Sequence, residues 1–107
     1  MPVTKFHNIT GSSGVDVELL APGDKVNSLK SIVICNTRAS NDATISLFLQ
    51  SQTLNKTFHI FKTVNLPFNT SLVLQNDEIP TFNNSQNNFG LYITVGSSDT
   101  VDVLLNI

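Results

Sequence analysis

Apolar and polar residues alternate along this chain in short runs of period two, separated by clusters of Gly, Pro, Asn, Asp and Ser. No window carries the i, i+3, i+4, i+7 stripe of an amphipathic helix, so the pattern predicts strands throughout. Val15, Val17 and Leu19 alternate with Asp16 and Glu18, the cleanest half-buried strand by pattern. Pro22 and Gly23 then suit the centre of a type II turn, because proline presets φ and glycine accepts a positive one. Residues 26–36 form a long strand, and residues 31–50 read as a hairpin: two β-branched runs around the polar turn 37–42. Residues 56–64 follow as a strand with Phe58, Ile60 and Val64 on one side and His59 and Phe61 on the other. Residues 70–75 return, the polar run 83–88 forms an exposed tip, and residues 89–95 and 101–107 close a second hairpin through Gly96 to Asp99.

About eight strands with such turns predict an all-β fold, a two-layer antiparallel β-sandwich of jelly-roll or immunoglobulin-like type. With 107 residues and no internal linker, residues 1–107 make one domain, residues 1–10 being an arm or an edge strand.

Three runs break the alternation: Ile32 to Cys35, Phe58 to Phe61, and Val103 to Leu105 are apolar on both faces. A two-layer sandwich covers only one face of each sheet, so something else must cover part of an outer face. The N-terminal segment, the Phe82-bearing loop or another subunit could supply that cover, and the rarity of large apolar patches on soluble monomers favours the subunit. The contact residues expected on this ground are Val33, Cys35, Arg38, Phe61 and Phe82, with Arg38, the sole arginine, marking the turn 37–42 as a contact loop.

Composition narrows the partners. Charged residues are 13% of the chain, against about 25% in an average domain, and Asn, Ser and Thr take their place. A net charge of −2 with scattered lysines offers no basic stripe, so no nucleic-acid partner is expected. No run approaches the ~18 apolar residues of a membrane span, and the N-terminus lacks the apolar run of a signal peptide. The single cysteine, Cys35, allows no intrachain disulfide and reads as a small buried hydrophobe.

No reaction chemistry assembles, and the chain is not expected to be an enzyme or to need a cofactor. His7 and His59 lack metal-ligand spacing to each other or to Cys35, so no metal site is expected; His7 reads as a tail residue. Asp16 and Glu18 share a strand face and read as solvated carboxylates, since a glycosidase site would ask for sugar-stacking aromatics and the chain has no Trp and one Tyr. There is no Gly-x-Ser-x-Gly elbow and no phosphate-cradling glycine loop. Gly90 falls inside a strand, where close approach of other atoms to the backbone is the simplest account.

The run K-S-I-V-I-C-N-T-R-A-S-N-D-A-T-I-S-L-F-L from Lys30, the segment F-H-I-F-K-T-V-N-L-P-F-N-T-S-L-V-L from Phe58, and the closing V-D-V-L-L-N-I resemble the small β-sandwich virion proteins of tailed bacteriophages. In these a strand ending in I-x-V/I-C-N-T precedes a polar turn and an a-T-I/V-S-L-f strand, and the chain finishes on V-D-V. The resemblance runs from Lys30 onward. It implies a non-enzymatic particle component: a capsid decoration or cement protein first, or a collar, neck or tail component. It further implies a homo-oligomer, a trimer among the candidates, that contacts the major capsid protein, assembles in the host cytoplasm and resides in the virion. The rival of another class is a carbohydrate- or receptor-binding β-domain.

Overall fold

The computed structural model describes residues 4–11, 15–21, 29–51, 56–75, 77 and 89–106. The strands are β1 (Thr4–Thr10), β2 (Asp16–Leu20), β3 (Ser31–Asn36), β4 (Ala43–Ser51), β5 (Lys56–Leu66), β6 (Ser71–Gln75), β7 (Phe89–Val95) and β8 (Thr100–Asn106). They form two four-stranded antiparallel sheets, ordered β1-β8-β3-β6 and β2-β7-β4-β5.

These orders follow from one simple arrangement. The chain doubles back on itself, so that β1 pairs with β8, β2 with β7, β3 with β6 and β4 with β5. The doubled ribbon then coils, and β3–β8 and β4–β7 pairing seals successive coils side by side. That is the jelly roll; an immunoglobulin-like sandwich would pair its strands in a different order. The all-β sandwich expected from the sequence is the fold, and of the two topologies considered the chain adopts this one.

Pairing departs from the sequence reading at the turns. Residues 31–50 are not a hairpin: β3 lies in one sheet and β4 in the other, so the turn 37–42 crosses between layers. The turn at Gly96 to Asp99, closed by Asp99 N–H donating to Gly96 O at 2.9 Å, likewise hands the chain from β7 to β8 in the opposite sheet. Among the described strands, only β4 and β5 are consecutive and paired. Of the expected arm or edge strand at residues 1–10, Thr4–Thr10 form an edge strand, β1, in unbroken register with β8. The start of the expected long strand at Val26, and the polar tip with Phe82, lie outside the described residues.

The core is the inward half of every strand. Ile32, Ile34, Val101, Val103 and Leu105 from one sheet meet Ile45, Leu47, Leu91, Ile93 and Val95 from the other, all buried to within 1%. Burial of an aliphatic side chain on this scale is worth roughly 1.5–3 kcal/mol, which makes these facing rows the main source of stability.

Strand β5 corrects the face assignment. Register shifts flank Leu47, which pairs with Phe61, while Phe48 pairs with His59 and Ile45 with Val64. Each bulge adds a residue and flips the parity beyond it. Phe61 therefore turns inward and packs against the core beside Val64, rather than forming a second outer face. In β2 a shift between Glu18 and Leu20 brings both Leu19 and Leu20 into the core, while Val15 stays 51% exposed.

Candidate interaction surface

Register fixes what each sheet shows to the outside, because residues directly opposite share a face. In the β1-β8-β3-β6 sheet, Lys5, His7 and Ile9 pair with the inward Leu105, Val103 and Val101. Their neighbours Phe6 and Asn8 must then point outward. Phe6 pairs with Leu104, Leu104 with Val33, and Val33 with Val73. One apolar row thus crosses all four strands on the outer face, with Phe6 72% and Val73 42% exposed. On one side of it lies the row Asn8, Asp102, Cys35, Ser71, and on the other the row Asn106, Ser31, Gln75.

The flanking rows are tied down within the sheet. Asn8 Nδ2 donates to Asp102 Oδ1 at 2.6 Å, Asn106 Nδ2 donates to Ser31 Oγ at 2.6 Å, and the Thr10 and Thr100 hydroxyls meet at 3.2 Å. Asp102 is the one charged side chain among the described outward residues of β1, β8, β3 and β6.

The outer face of the other sheet has a different chemistry. Its central row is Glu18, Tyr92, Phe48, His59. Tyr92 stacks on Phe48 with centroids 5.8 Å apart and planes at 14°, and His59 tilts onto the far side of Phe48 at 5.3 Å. Phe48 consequently points outward and is still only 4% exposed. Tyr92 Oη donates to Glu18 Oε2 at 3.2 Å, and Thr94 Oγ1 donates to Asp16 Oδ1 at 2.9 Å. Burial first, then the hydrogen bond to Glu18 and the charges of Glu18 and Asp16, raise the Tyr92 phenol above its ordinary value. This face is a small closed aromatic cluster rimmed by carboxylates.

No family model matches the chain, and no curated protein or solved structure matches it. The surface must be read from its own geometry.

Of the expected contact residues, Val33 and Cys35 are half-buried on the outer face of the first sheet, Val33 within the apolar row. Cys35 is thus an outward neighbour of Asp102 and Ser71, not a core hydrophobe. Arg38 has another task. Its Nη1 donates to Ser98 O at 2.9 Å and pairs with Asp99 Oδ1 at 3.3 Å, while Asp99 Oδ2 accepts from Thr44 N–H at 3.1 Å. Gly11 joins the same knot: its N–H donates to Asp99 O, and its own O accepts from Ser98 N–H. A Cβ on Gly11 would stand 2.2 Å from Gly96 O, so no side chain fits there. Beneath lies Asn36, fully buried, whose Nδ2 donates to Asn41 O and Leu66 O and whose Oδ1 accepts from Arg38 N–H. The turn 37–42 is therefore tied to the other inter-sheet crossings at this end of the sandwich.

Phe61 faces inward, and Phe82 lies outside the described residues. Phe6, 72% exposed, escaped the sequence reading because its neighbours Lys5 and His7 are polar, whereas Val73 carried the same signal as Leu104, a place in an apolar run (Leu72 to Leu74), and was passed over. His7 is an inward residue of β1, not a tail residue, and its Nε2 is buried without a hydrogen-bond partner in the described structure. Among the described residues, no group of three His, Cys, Asp or Glu side chains could hold a metal ion.

Proposed function

We propose that this protein is a non-enzymatic structural subunit of a tailed-phage particle, most specifically a capsid decoration or cementing protein that works as a symmetric oligomer. The observation that carries the reading is the apolar row Phe6, Leu104, Val33, Val73, which crosses all four strands on a sheet face that the other sheet leaves uncovered. The jelly roll adds support by analogy, since viral capsid domains use this architecture, although lectins and cupins do too.

The mechanism is mechanical. A rigid double-layered body, locked at one end by the Asn36–Arg38–Asp99 network, presents a nearly uncharged face for contact. Amide and hydroxyl groups around the apolar row supply directional hydrogen bonds without strong charge. Attachment should then weaken little as salt rises, because few screened ion pairs are involved.

Electron microscopy of purified particles carrying a label on this protein tests the reading. Label distributed over the shell is the expected result, and label at the neck or tail would move the protein to a collar or tail role. Its absence from purified particles, together with saturable glycan binding, would replace the proposal with a carbohydrate-binding one. Against that alternative, the Tyr92 and Phe48 rings are stacked on each other and rimmed by side chains of their own sheet.

A further inference from the structure

We infer that the outer face of the β1-β8-β3-β6 sheet is the seat of a second copy of this chain, stacked face to face about a two-fold axis that runs along the strands between β8 and β3. The inference rests on the oligomeric part of the proposed function and gives it a geometry.

The first argument is shape. Across the sheet the apolar row descends in size, from Phe6 on β1 through Leu104 on β8 to Val33 on β3 and Val73 on β6. A graded row is complementary to its own reverse. Rotation about an axis along the strands lays β6 of one copy over β1 of the other and β3 over β8. Phe6 then meets the partner's Val73 and Leu104 meets the partner's Val33, so large sits on small at every position. Rotation about an axis along the row would instead stack Phe6 on the partner's Phe6 and leave the valine end gaping.

The second argument is chemistry. Rotation along the strands keeps each row on itself, so polar rows also meet polar rows: Asn8 faces the partner's Ser71, and Asn106 faces the partner's Ser31. Each isologous contact occurs twice, as a two-fold requires. Charge does not oppose the approach. Asp102 is the one charged group among the described residues of the face, its carboxylate already accepts the Asn8 amide at 2.6 Å, and it would face the uncharged Cys35 of the partner subunit. The other outer face carries two carboxylates, Asp16 and Glu18, at its β2 edge and is less depleted of charge. Charge depletion at the centre of a patch is what marks an interface core.

Area sets the strength. Four strands spaced ~4.8 Å apart, over about six residues of ~3.4 Å rise, present roughly 400 Å² per copy. A stable pair buries about 800 Å² per partner, so the dimer is reversible in solution. Copies held close together on an array would associate far more firmly through effective concentration.

Sedimentation velocity over roughly 10 to 500 μM, a range suited to a weak and reversible pair, tests the inference. Phe6 and Val73 stand on opposite edges of one sheet and meet only between copies in the inferred orientation. Phe6→Lys and Val73→Glu should each raise the dimer dissociation constant about tenfold or more, and the double variant should recover to within about threefold of the parent by placing lysine against glutamate twice. Both positions are exposed, and circular dichroism verifies that each variant keeps its fold. Phe68→Lys, on an exposed turn, should leave association unchanged. Failure of the double variant to recover overturns the two-fold, and a monomer at every concentration overturns self-stacking altogether. A monomer that still labels the particle shell would remove the oligomeric part of the proposed function and keep the particle role, whereas a dimer absent from particles would remove that role and keep the dimer.

Discussion

The ring of Tyr92 lies over Gly90, two residues back along the same face of β7: a Cβ on Gly90 would stand 2.7 Å from the ring carbon Cε1 and 3.0 Å from Leu20 O. The glycine makes room for the tyrosine, and the tyrosine in turn closes over Phe48. Gly90→Ala should therefore destabilise the protein by roughly 1–3 kcal/mol, the usual cost of forcing an extra methyl into a packed site. In a Tyr92→Ala background the cost should shrink, because the flat ring is the nearer obstacle. Urea unfolding of the two single variants and the double variant measures the coupling, and strict additivity would show that the ring is not what excludes the methyl.

Tyr92 also predicts a pH response. Burial, Glu18 and Asp16 hold its phenol proton more tightly in the folded protein than in the unfolded chain. This contribution to stability is fully present below the unfolded value near pH 10 and is lost as pH rises through the higher folded value. Glu18→Gln should lower the folded value without returning it to normal, since burial remains. With one Tyr and no Trp in the chain, tyrosinate absorbance reads this titration without interference. An unshifted native titration curve would contradict the environment described for Tyr92.

Asn36 is a polar residue at zero exposure whose amide reaches Asn41 O at 3.0 Å, Leu66 O at 3.1 Å and Arg38 N–H at 3.1 Å. Asn36→Ala removes the partner of one buried backbone group, Leu66 O, and of two part-buried ones, Asn41 O and Arg38 N–H. At about 1–3 kcal/mol for a buried group left without a partner, a loss on the order of 3 kcal/mol is expected. Denaturant midpoints check this. Arg38→Ala, which removes a half-exposed pair and one bond to Ser98 O, should cost distinctly less.

Thr63 holds φ at 56° within the bulged part of β5, a left-handed conformation that a β-branched residue adopts only under constraint. Its N–H donates to Ser46 Oγ at 2.9 Å, which any replacement but proline preserves. Thr63→Asn should stabilise the domain by up to about 1 kcal/mol, because asparagine tolerates this region at lower cost. A fall in melting temperature for this variant would place the constraint elsewhere.

The strands were largely legible in the sequence because alternation reports burial of one face, and burial is what these strands share. Their partners were not. Residues 31–50 look like a hairpin and are an inter-sheet crossing, since turn residues reverse the chain equally well whether it stays in one sheet or passes to the other. Surplus outward hydrophobes were visible at Val33 and Leu104, where apolar residues run consecutively. Phe6 and Val73 became members of the same row only through register, which depends on contacts between residues far apart in the chain. The bulges around Leu47 carry no turn signal, and so the inward turn of Phe61 was hidden.

The doubled-back pairing also sets an order of events for an unfolded chain. The β4–β5 pair joins residues near one another, whereas β1–β8 joins Thr4 to Asn106 and closes a loop of nearly the whole polypeptide. Closing such long loops before shorter ones has brought their strands together is entropically unfavourable. Assembly is thus expected to zip outward from the middle of the chain, and the two ends meet last. The strand that carries Phe6 would be the final one laid down, so the face built for contact is complete only when the fold itself is.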